Sequence, residues 1–290
     1  MEVIKIIVGG KDITNEELIA KNFNRYFSEI GPKLAKKIQT SPSNFESFME
    51  TCDTTLTEIS LTINELKDAF FSLKTNKSAG YDDISFNVVR NCFGPLVKPL
   101  MFIFNLSLEK GCFPDQLKIA RVTPVFKADS VTELGNYRLI SVLPCFSKIL
   151  ERIMYNGLFK YLKTNNILYS KQFGFQEGHS TEHAIIQLID QINNSFEKNH
   201  YTLGIFIDLS KAFDTVDHNI LIKKLNKYGI KGNNLKWFES YLNNRKQYIT
   251  YGTDKSTEFE NMICGVPQGS ILGPLLFLMY INVFLMHQKF

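Results

Sequence analysis

The stretch FIDLSKAFDTVDH, residues 206–218, decides the fold, because an apolar run stops there abruptly at a carboxylate. The overlapping residues YTLGIFIDLS, 201–210, are rich in β-branched and aromatic side chains and predict a buried β-strand. Asp208 then stands at the carboxyl end of that strand, where a rigid backbone can present a metal ligand to solvent. Two-metal phosphoryl-transfer sites need carboxylates from at least two places, so Asp208 predicts half of a Mg²⁺ site.

Two further acids follow in the same stretch. Asp214 and Asp217 are three residues apart, so they share one face if AFDTVDHNILIKKL is helical. Negative charge near the first turn of a helix is favoured by the helix dipole. We therefore predict that both are helix-start residues, and a role as additional metal ligands is the alternative.

The composition is that of a globular protein with a sizeable core. The 290 residues are 44% hydrophobic and 13% aromatic, which suits one large or two modest domains. The formal net charge of +4 identifies no polyanionic partner by itself. Five cysteines without a CxxC pair fit a reduced intracellular protein. We expect cytoplasm or nucleus, because the N-terminus lacks an apolar signal region and the apolar stretch 271–286 is too interrupted to span a membrane.

Helical periodicity and turn residues predict a mixed α+β protein. A first helix is expected to begin after Asn15 and to break at Gly31-Pro32, and the polar stretch 40–55 is expected to be a linker. A second helix is expected after Thr62 or Asn64. Further helical stretches are expected at 86–110, at 147–166 and from Ser180 onward.

Two apolar segments carry additional signals. The proline of ARVTPVFKA, residues 120–128, predicts an edge strand, because proline cannot donate to a central ladder. The segment GVPQGSILGPLLF, residues 265–277, carries three glycines and two prolines, and Gln268 and Gly269 lie between its first and last glycine. Such a turn can approach a ligand closely, and a purely structural turn is the alternative. The apolar residues 271–286 predict a buried strand or helix.

The segment 219–250 is strongly basic and carries aromatic residues between its cations. It contains seven lysines and arginines and one acid, Glu239, which gives a net charge of +6. Lys and Arg contact phosphates and aromatic rings stack on bases, so the segment is a candidate nucleic-acid surface. The candidate contacts are Lys223, Lys224, Lys227, Arg245 and Lys246. The alternative is a solvated helix face over an ordinary aromatic core.

In this order, the motifs resemble those of reverse transcriptases of non-LTR (LINE-like, jockey-type) retrotransposons. FIDLSKAFDTVDH and GVPQGSILGPLLF resemble the family's A and B motifs, with SYLNNRKQYI between them. The resemblance extends upstream to three fingers motifs and to the linker before the polymerase. These stretches are LKTNKSAGYDDIS (73–85), FPDQLKIARVTPVFK with NYRLISVLPCFSKILERI (113–153), KQFGFQEGHSTEHAI (171–185) and FNRYFSEIG (23–31).

The resemblance implies an α+β right-hand polymerase architecture with fingers, an incomplete palm and no thumb. It divides the chain into a helical leader and linker at 1–50, a fingers-like region at 51–200 and a partial palm at 201–290. It also implies that Asp208, with the Leu209 carbonyl nearby, binds two catalytic Mg²⁺ ions.

The resemblance also assigns nucleotide-binding residues. Lys127 and Arg138 fall in the fingers motif that grips the incoming triphosphate, for which arginine has suitable bidentate geometry. Phe213 sits where the family places an aromatic gate against a ribose 2′-OH. Gln268 and Gly269 line the nucleotide and template. The structural alternatives are a core role for Phe213 and an exposed strand-end charge for Lys127.

The chain also departs from the family pattern. Leu139 stands where proline is usual, and Ala128-Asp129-Ser130 stands where the family has Lys-Gly-Asp, which weakens the assignment of Lys127 most. After Tyr280-Ile281-Asn282 the family continues into a hydrophobic-Ala-Asp-Asp hairpin, and here VFLMHQKF follows. We therefore expect a truncated polymerase with an incomplete metal site, inactive alone, with exposed apolar surface from Leu275 onward that favours aggregation.

The function implied by the resemblance is RNA-directed DNA polymerisation. The enzyme would add deoxynucleotides to a DNA primer on an RNA template by two-metal phosphoryl transfer. The alternative is a non-catalytic nucleic-acid-binding relic that keeps the basic segment 219–250. A phosphatase with an aspartate nucleophile is disfavoured, because Ser210 stands where a second acid is needed.

Overall fold

The architecture combines helices with a small mixed sheet, as a computed structural model shows for residues 5–37, 45–49, 51–252, 254–255 and 258–286. The helices in these ranges are α1 (Glu16–Ala35), α2 (Ile63–Phe71), α3 (Phe86–Asn91), α4 (Phe93–Lys110), α5 (Cys145–Thr164), α6 (Thr181–Glu197), α7 (His218–Lys227), α8 (Gly232–Leu242) and α9 (Leu272–Met286). The strands are β1 (Ile6–Val8), β2 (Lys11–Ile13), β3 (Ile119–Phe126), β4 (Tyr137–Val142), β5 (Arg245–Tyr251), β6 (Asp254–Lys255) and β7 (Glu260–Met262). The predicted α+β class is therefore confirmed.

The main sheet is organised around β3. It has the order β4-β3-β5-β6, and β7 also pairs with β5. β3 and β4 form an antiparallel hairpin, whereas β3 and β5 run parallel from Ile119 opposite Lys246 to Val122 opposite Ile249. The prediction of an edge strand is thus wrong for the first half of β3. Pro124 lies beyond the part that pairs with β5, so its missing N–H removes no hydrogen bond to that strand.

Helix α1 begins where predicted but does not end there. The Asn15 side chain accepts from the Leu18 N–H at 2.9 Å, which confirms the N-cap. The predicted break at Gly31-Pro32 is wrong, because α1 continues to Ala35. A β-carbon on Gly31 would lie 2.3 Å from the Asp214 carbonyl oxygen, so glycine allows the helix to pack directly on the chain around Asp214. This packing offsets the helical hydrogen bond that Pro32 cannot donate.

Several other predicted boundaries are confirmed by their caps. Thr62 and Glu65 form a reciprocal capping box at the start of α2, and the Ser180 hydroxyl accepts from the His183 N–H at α6. The apolar stretch that begins at residue 271 is a helix rather than a strand. Residues 40–44 and 50 of the predicted linker lie outside the described residues, and residues 45–48 form a 3₁₀ turn.

Buried apolar side chains of the described residues form two clusters. The larger cluster joins the helices from α2 to α9 with the exception of α6, and includes Trp237 and Phe113. The smaller one joins α1 to the sheet, through Phe23, Val122 and Ile249. Because β3 pairs with β5, the sheet joins residues on both sides of the predicted boundary at residue 200. The division of the chain into three regions remains a prediction.

The predicted strand at 201–210 is wrong. These residues have no regular secondary structure, and no backbone hydrogen bond joins them to any other described part of the chain. Leu203 is 86% exposed and Phe206 is 88% exposed. A strand needs a neighbour for its N–H and C=O groups, and the strands of the described sheet are paired elsewhere. β-propensity alone therefore does not fold this stretch.

Exposed apolar surface occurs at a different place from the one predicted. Leu275, Leu276 and Met279 of α9 are buried, so the expectation of exposed surface from Leu275 onward is wrong for these residues. Ten of the exposed apolar side chains instead belong to α6 and to the stretch 203–209. They are Ile185, Ile186, Leu188, Ile189, Phe196, Leu203, Ile205, Phe206, Ile207 and Leu209. No helix in the described ranges is long and apolar enough to cross a membrane.

Candidate active site

The β3–β4 hairpin presents two cations at its loop end. Arg138 lies opposite Val125 in the antiparallel register, and the Lys127 N–H donates to the Asn136 carbonyl at 2.9 Å just beyond the paired residues. Both side chains are exposed on the face of the hairpin opposite the buried Tyr137 and Leu139. The structure therefore places Lys127 and Arg138 on the same face of the hairpin, and their contact with a triphosphate stays a prediction.

The FIDLSKAFDTVDH and GVPQGS stretches meet through their backbones. Ala212–Thr215 forms a 3₁₀ turn, and the Phe213 carbonyl accepts from the Val266 N–H at 2.8 Å. The Gly265 N–H donates to the Val216 carbonyl at the same distance. These bonds fix the turn before α9 against the turn before α7.

Asp214 and Asp217 have different roles. The Asp217 side chain accepts from the Ile220 N–H at 2.9 Å and caps α7, so its prediction as a helix-start residue is confirmed. The same prediction is wrong for Asp214, which precedes the helix and accepts from Gln268 Nε2 at 2.7 Å. Burial raises the pKa of Asp214, while the Gln268 hydrogen bond and the nearby Lys211 ammonium oppose that rise. Asp214 thus orients Gln268.

Gly269 allows the turn to contact strand β4. The Ser141 N–H donates to the Gln268 carbonyl at 2.8 Å. Gly269 has a φ of +115°, and a β-carbon there would lie 2.6 Å from the Ser141 carbonyl oxygen. Glycine is therefore required both by the backbone conformation and by the close approach. Gln268 and Gly269 lie beside the hairpin strand that carries Arg138, as expected for residues of one site.

Lys211 is a site residue that sequence reasoning missed. Its ammonium donates to the carbonyls of Gly135 and Tyr137, at 3.0 and 3.4 Å, and lies 5.6 Å from the centre of the Phe27 ring. Burial lowers the pKa of Lys211, the Asp214 carboxylate opposes this, and Lys127 and Arg138 lower it further. The available signal was a lysine between two acids directly after an apolar run.

Phe213 lies half-buried between two rings. It stacks on Phe277 of α9 with 4.7 Å between the ring centres, and it meets the edge of Phe175 at 5.6 Å. Phe175 is largely exposed, so this aromatic group reaches from the core to the surface. The packing accommodates both interpretations of Phe213, as a core residue and as a gate.

Asp208 and Leu209 lie in the exposed stretch that precedes Lys211. A solvent-exposed carboxylate and a backbone carbonyl are hard oxygen ligands of the kind that Mg²⁺ prefers, so both residues fit one side of a magnesium site. Across residues 5–37, 45–49, 51–252, 254–255 and 258–286, no three His, Cys, Asp or Glu side chains come together as metal ligands.

Glu151 of α5 is a second residue that sequence reasoning missed. It is completely buried and accepts from the N–H groups of Ile271 and Leu272, at 2.6 and 3.4 Å. Burial raises the pKa of Glu151, and the nearby Arg245 guanidinium and the two amides oppose that rise. Glu151 thus fixes the start of α9 directly after the Gln268–Gly269 turn. A charged residue within an apolar helical face was the available signal.

The predicted nucleic-acid surface is wrong at two of its five residues. Arg245 is buried and donates to the Tyr241 carbonyl at 3.0 Å, with its guanidinium over the Tyr241 ring. Lys224 is also buried, donates to the Tyr280 carbonyl and lies over the rings of Phe45 and Tyr280. The aliphatic stems of both side chains pack in the core, and the neighbouring aromatic rings stabilise their charges there. Neither cation is therefore accessible to a nucleic acid.

The other three cations of that set remain accessible. Lys223 is exposed and pairs with Glu46 at 3.1 Å. Lys246 is exposed on β5, and Lys227 is half-exposed at the end of α7. A nucleic-acid contact by these three residues stays a prediction.

The burial of Lys224 predicts a specific pH dependence of stability. Burial lowers its pKa from the ordinary 10.5 to about 8. The unfolded chain therefore binds more protons at this position between pH 8 and 10.5, and the free energy of unfolding gains up to about 3 kcal/mol from Lys224 as the pH rises through this window. Lys224→Met should lack this gain in urea unfolding measured from pH 7 to 10.

The exposed neighbour Lys223 provides the matched control. Lys223→Met should follow the wild-type pH dependence, because its ammonium stays in water. Parallel curves for wild type and Lys224→Met would contradict the assigned burial.

Comparison with known families identifies the family of the chain. The model of the family "Reverse transcriptase (RNA-dependent DNA polymerase)" matches residues 125–289, more than half of the chain and the whole of the site described above. The chain belongs to this reverse transcriptase family.

Several relatives are proteins of mobile elements. A probable RNA-directed DNA polymerase from transposon BS of Drosophila melanogaster is 31% identical over 93% of this chain and 30% of its own length. The RNA-directed DNA polymerase from mobile element jockey of the same species is 30% identical over 75% of this chain and 24% of its own length. These relatives place the chain with LINE-like reverse transcriptases of non-LTR retrotransposons, which confirms the resemblance of the motifs. The chain spans less than a third of the length of these relatives.

Proposed function

We propose that this chain provides the fingers and part of the palm for RNA-directed DNA synthesis, in which deoxynucleotides are added to a primer on an RNA template. The observation that carries the proposal is the contact among three separate motifs. Gln268 bonds to Asp214 through its side chain and to Ser141 of β4 through its backbone carbonyl. These contacts assemble the site beside Lys127 and Arg138.

The cations of the hairpin suit the triphosphate of an incoming nucleotide. Arg138 offers a planar fork for phosphate oxygens and Lys127 a mobile point charge, and both are exposed. The Lys211 ammonium is hydrogen-bonded to two carbonyls of the same hairpin, and from that position it adds positive potential near Lys127 and Arg138. Together these groups favour a polyanion at the loop end of the hairpin.

The aromatic and amide groups suit the rest of the nucleotide. The Phe277 ring stacks on Phe213 and holds its side chain in place. The fixed Phe213 ring can therefore exclude a ribose that carries a 2′-OH. Gln268, held by Asp214, and Gly269, which lacks a side chain, line the nucleotide and the template.

Asp208 and the Leu209 carbonyl are the proposed ligands of Mg²⁺. When bound, the metal supplies Lewis-acid stabilisation of charge on the transferring phosphoryl group. A two-metal site needs carboxylates from at least two places, and among the described residues Asp208 belongs to no group of three or more His, Cys, Asp or Glu side chains that could hold a metal. We therefore expect this chain alone to bind substrates without extending a primer.

The proposal is tested by binding of a labelled RNA template annealed to a dideoxy-terminated DNA primer. In Mg²⁺, the templated dNTP should strengthen this binding about tenfold, equivalent to about 1.4 kcal/mol, whereas a mismatched dNTP should not. Lys127→Ala with Arg138→Ala should remove the dNTP response. The control Lys98→Ala with Lys110→Ala removes two exposed cations of α4 and should keep it.

The outcomes separate the two candidate functions. Binding of the primer–template without discrimination between the two dNTPs would contradict the polymerase and support the non-catalytic nucleic-acid-binding module. With an extendable primer, incorporation should not exceed that of Asp208→Asn. Robust incorporation by the wild type that Asp208→Asn abolishes would support the polymerase and overturn the expected inactivity of this chain.

A further inference from the structure

The imidazole of His218, the first residue of α7, reaches the segment that carries Gln268. Its Nε2 lies 2.7 Å from the Gly265 carbonyl oxygen, 47 residues further along the chain. A carbonyl oxygen only accepts hydrogen bonds, so Nε2 carries the proton and donates it to this bond. The bond therefore joins the start of α7 to the start of the GVPQGS stretch.

The surroundings of the ring favour a neutral imidazole. Burial lowers the pKa of His218, the hydrogen bond to Gly265 and the Asp217 carboxylate oppose this, and the nearby Arg245 guanidinium lowers the pKa further. A neutral imidazole has one N–H, and here the Gly265 carbonyl accepts it.

A cavity of about 250 Å³ borders the ring between α7 and α8. Packing thus leaves space beside the imidazole, so the hydrogen bond to Gly265 determines its orientation more than close contact does. The same space can accommodate a slightly larger ring at this position.

The peptide group that joins Gly265 to Val266 is held through both of its polar atoms. Its carbonyl accepts from His218, and its N–H donates to the Phe213 carbonyl at 2.8 Å. Because a peptide group is planar and turns as a unit, reorientation of this group would break both bonds together. His218 thus restrains the backbone at the point where the turn begins.

Gly265 itself supplies little restraint. Its φ is +81°, and an added β-carbon would lie 2.9 Å from the Phe213 carbonyl oxygen, so glycine is required here. Glycine also has the widest range of backbone conformations, and the peptide group that follows it reorients readily unless its polar atoms are bonded. The donor on His218 compensates for this freedom.

The restrained peptide group connects two parts of the proposed nucleotide site. Phe213 provides the carbonyl that accepts from Val266, and Gln268 lies two residues beyond Val266 and bonds to Asp214 at 2.7 Å. At the other end of the turn, Glu151 accepts from the first amides of α9. The turn is therefore held at its start by His218 and at its end by Glu151.

We propose that His218 is a positioning residue for nucleotide binding. Its Nε2–H fixes the Gly265–Val266 peptide group and thereby sets the separation between the Phe213 ring and the Gln268 side chain. In this role His218 acts through Gly265 and touches no substrate. The inference rests on the proposed function, because Phe213 and Gln268 are the groups that the proposed function assigns to the nucleotide.

Hydrogen–deuterium exchange of residues 264–270 tests the restraint without any nucleotide. His218→Phe keeps a planar ring and removes the donor, so exchange of the Gly265 and Val266 amides should become about tenfold faster, equivalent to about 1.4 kcal/mol. His218→Gln keeps an N–H at a similar reach and should stay within about twofold of the wild type. Tyr161→Phe removes a buried donor to the Thr54 and Tyr228 carbonyls and should leave exchange in the turn unchanged.

The primer–template assay tests the consequence for the nucleotide. His218→Phe should lose most of the about tenfold response to the templated dNTP, while its affinity for the primer–template without dNTP stays that of the wild type. His218→Gln should recover the response, and Tyr161→Phe should keep it. A role confined to stability predicts no such recovery by glutamine and no separation between the two affinities.

Each result decides a different part of the inference. Equal exchange in the turn for wild type and His218→Phe would overturn the restraint. Faster exchange throughout the chain in both His218 variants would assign the residue to general packing and overturn it as well. Faster exchange in the turn with an intact dNTP response would overturn the role in nucleotide binding. Absence of a dNTP response in the wild type would instead contradict the proposed function, and the exchange data would still decide whether His218 holds the turn.

Discussion

Glu151→Ala is expected to lower the free energy of unfolding by about 3–5 kcal/mol. The substitution removes the acceptor of the Ile271 and Leu272 amides and the carboxylate beside the buried Arg245. These groups are then buried without a partner, and a cavity is left in α5. Urea unfolding followed through Trp237, which stacks on Tyr241 next to Arg245, measures the loss directly.

Two variants test whether the loss of stability comes from removing the buried carboxylate or from replacing any glutamate. Glu151→Gln keeps the shape and one acceptor oxygen, so it should recover part of the loss. Glu109→Ala removes an exposed glutamate at the end of α4 and should change stability by no more than about 0.5 kcal/mol. If Glu151→Ala cost no more than Glu109→Ala, the role of Glu151 in holding α9 would be wrong.

Gly269→Ala is expected to lower the free energy of unfolding by about 3 kcal/mol and to displace the turn from β4. A φ of +115° is strained for alanine, and its β-carbon would meet the backbone of Ser141, which cannot turn aside as a flexible side chain can. Because Gln268 moves with Gly269, the dNTP response should also disappear. Unfolding and the primer–template assay provide the two measurements.

Gly94→Ala is the matched control in the helix α4. Its φ is not in the positive range, and an added β-carbon meets nothing within 4 Å. Alanine should therefore be neutral or stabilising by up to about 1 kcal/mol. A similar loss in both variants would indicate that Gly269 has no special contact with β4.

Local sequence signals predicted the features that depend on neighbouring residues. Asn15, Thr62, Ser180 and Asp217 all cap helices, since a cap is formed by a side chain and the amides two or three residues later. The hairpin cations and the Gln268 turn followed from motifs whose order matched the family. What these predictions share is that they need no knowledge of distant packing.

The features that sequence reasoning missed depend on partners far along the chain. The stretch 201–210 has the composition of a strand, but pairing decides whether it becomes one. Lys224 and Arg245 lie in a basic segment, but aromatic rings cover them. Glu151 and Lys211 bond to groups more than 70 residues away, so the local patterns around them mark unusual charges but do not identify their partners.

The parallel pairing of β3 with β5 has a consequence for synthesis of the protein. The β3–β4 hairpin can form as soon as it leaves the ribosome, but β5 is translated only after α5 to α8. At a translation rate of 5–20 residues per second, the edge of β3 that pairs with β5 stays unpaired for roughly ten seconds. During this delay its N–H and C=O groups can pair with other nascent chains, so the rate of translation itself becomes a determinant of yield.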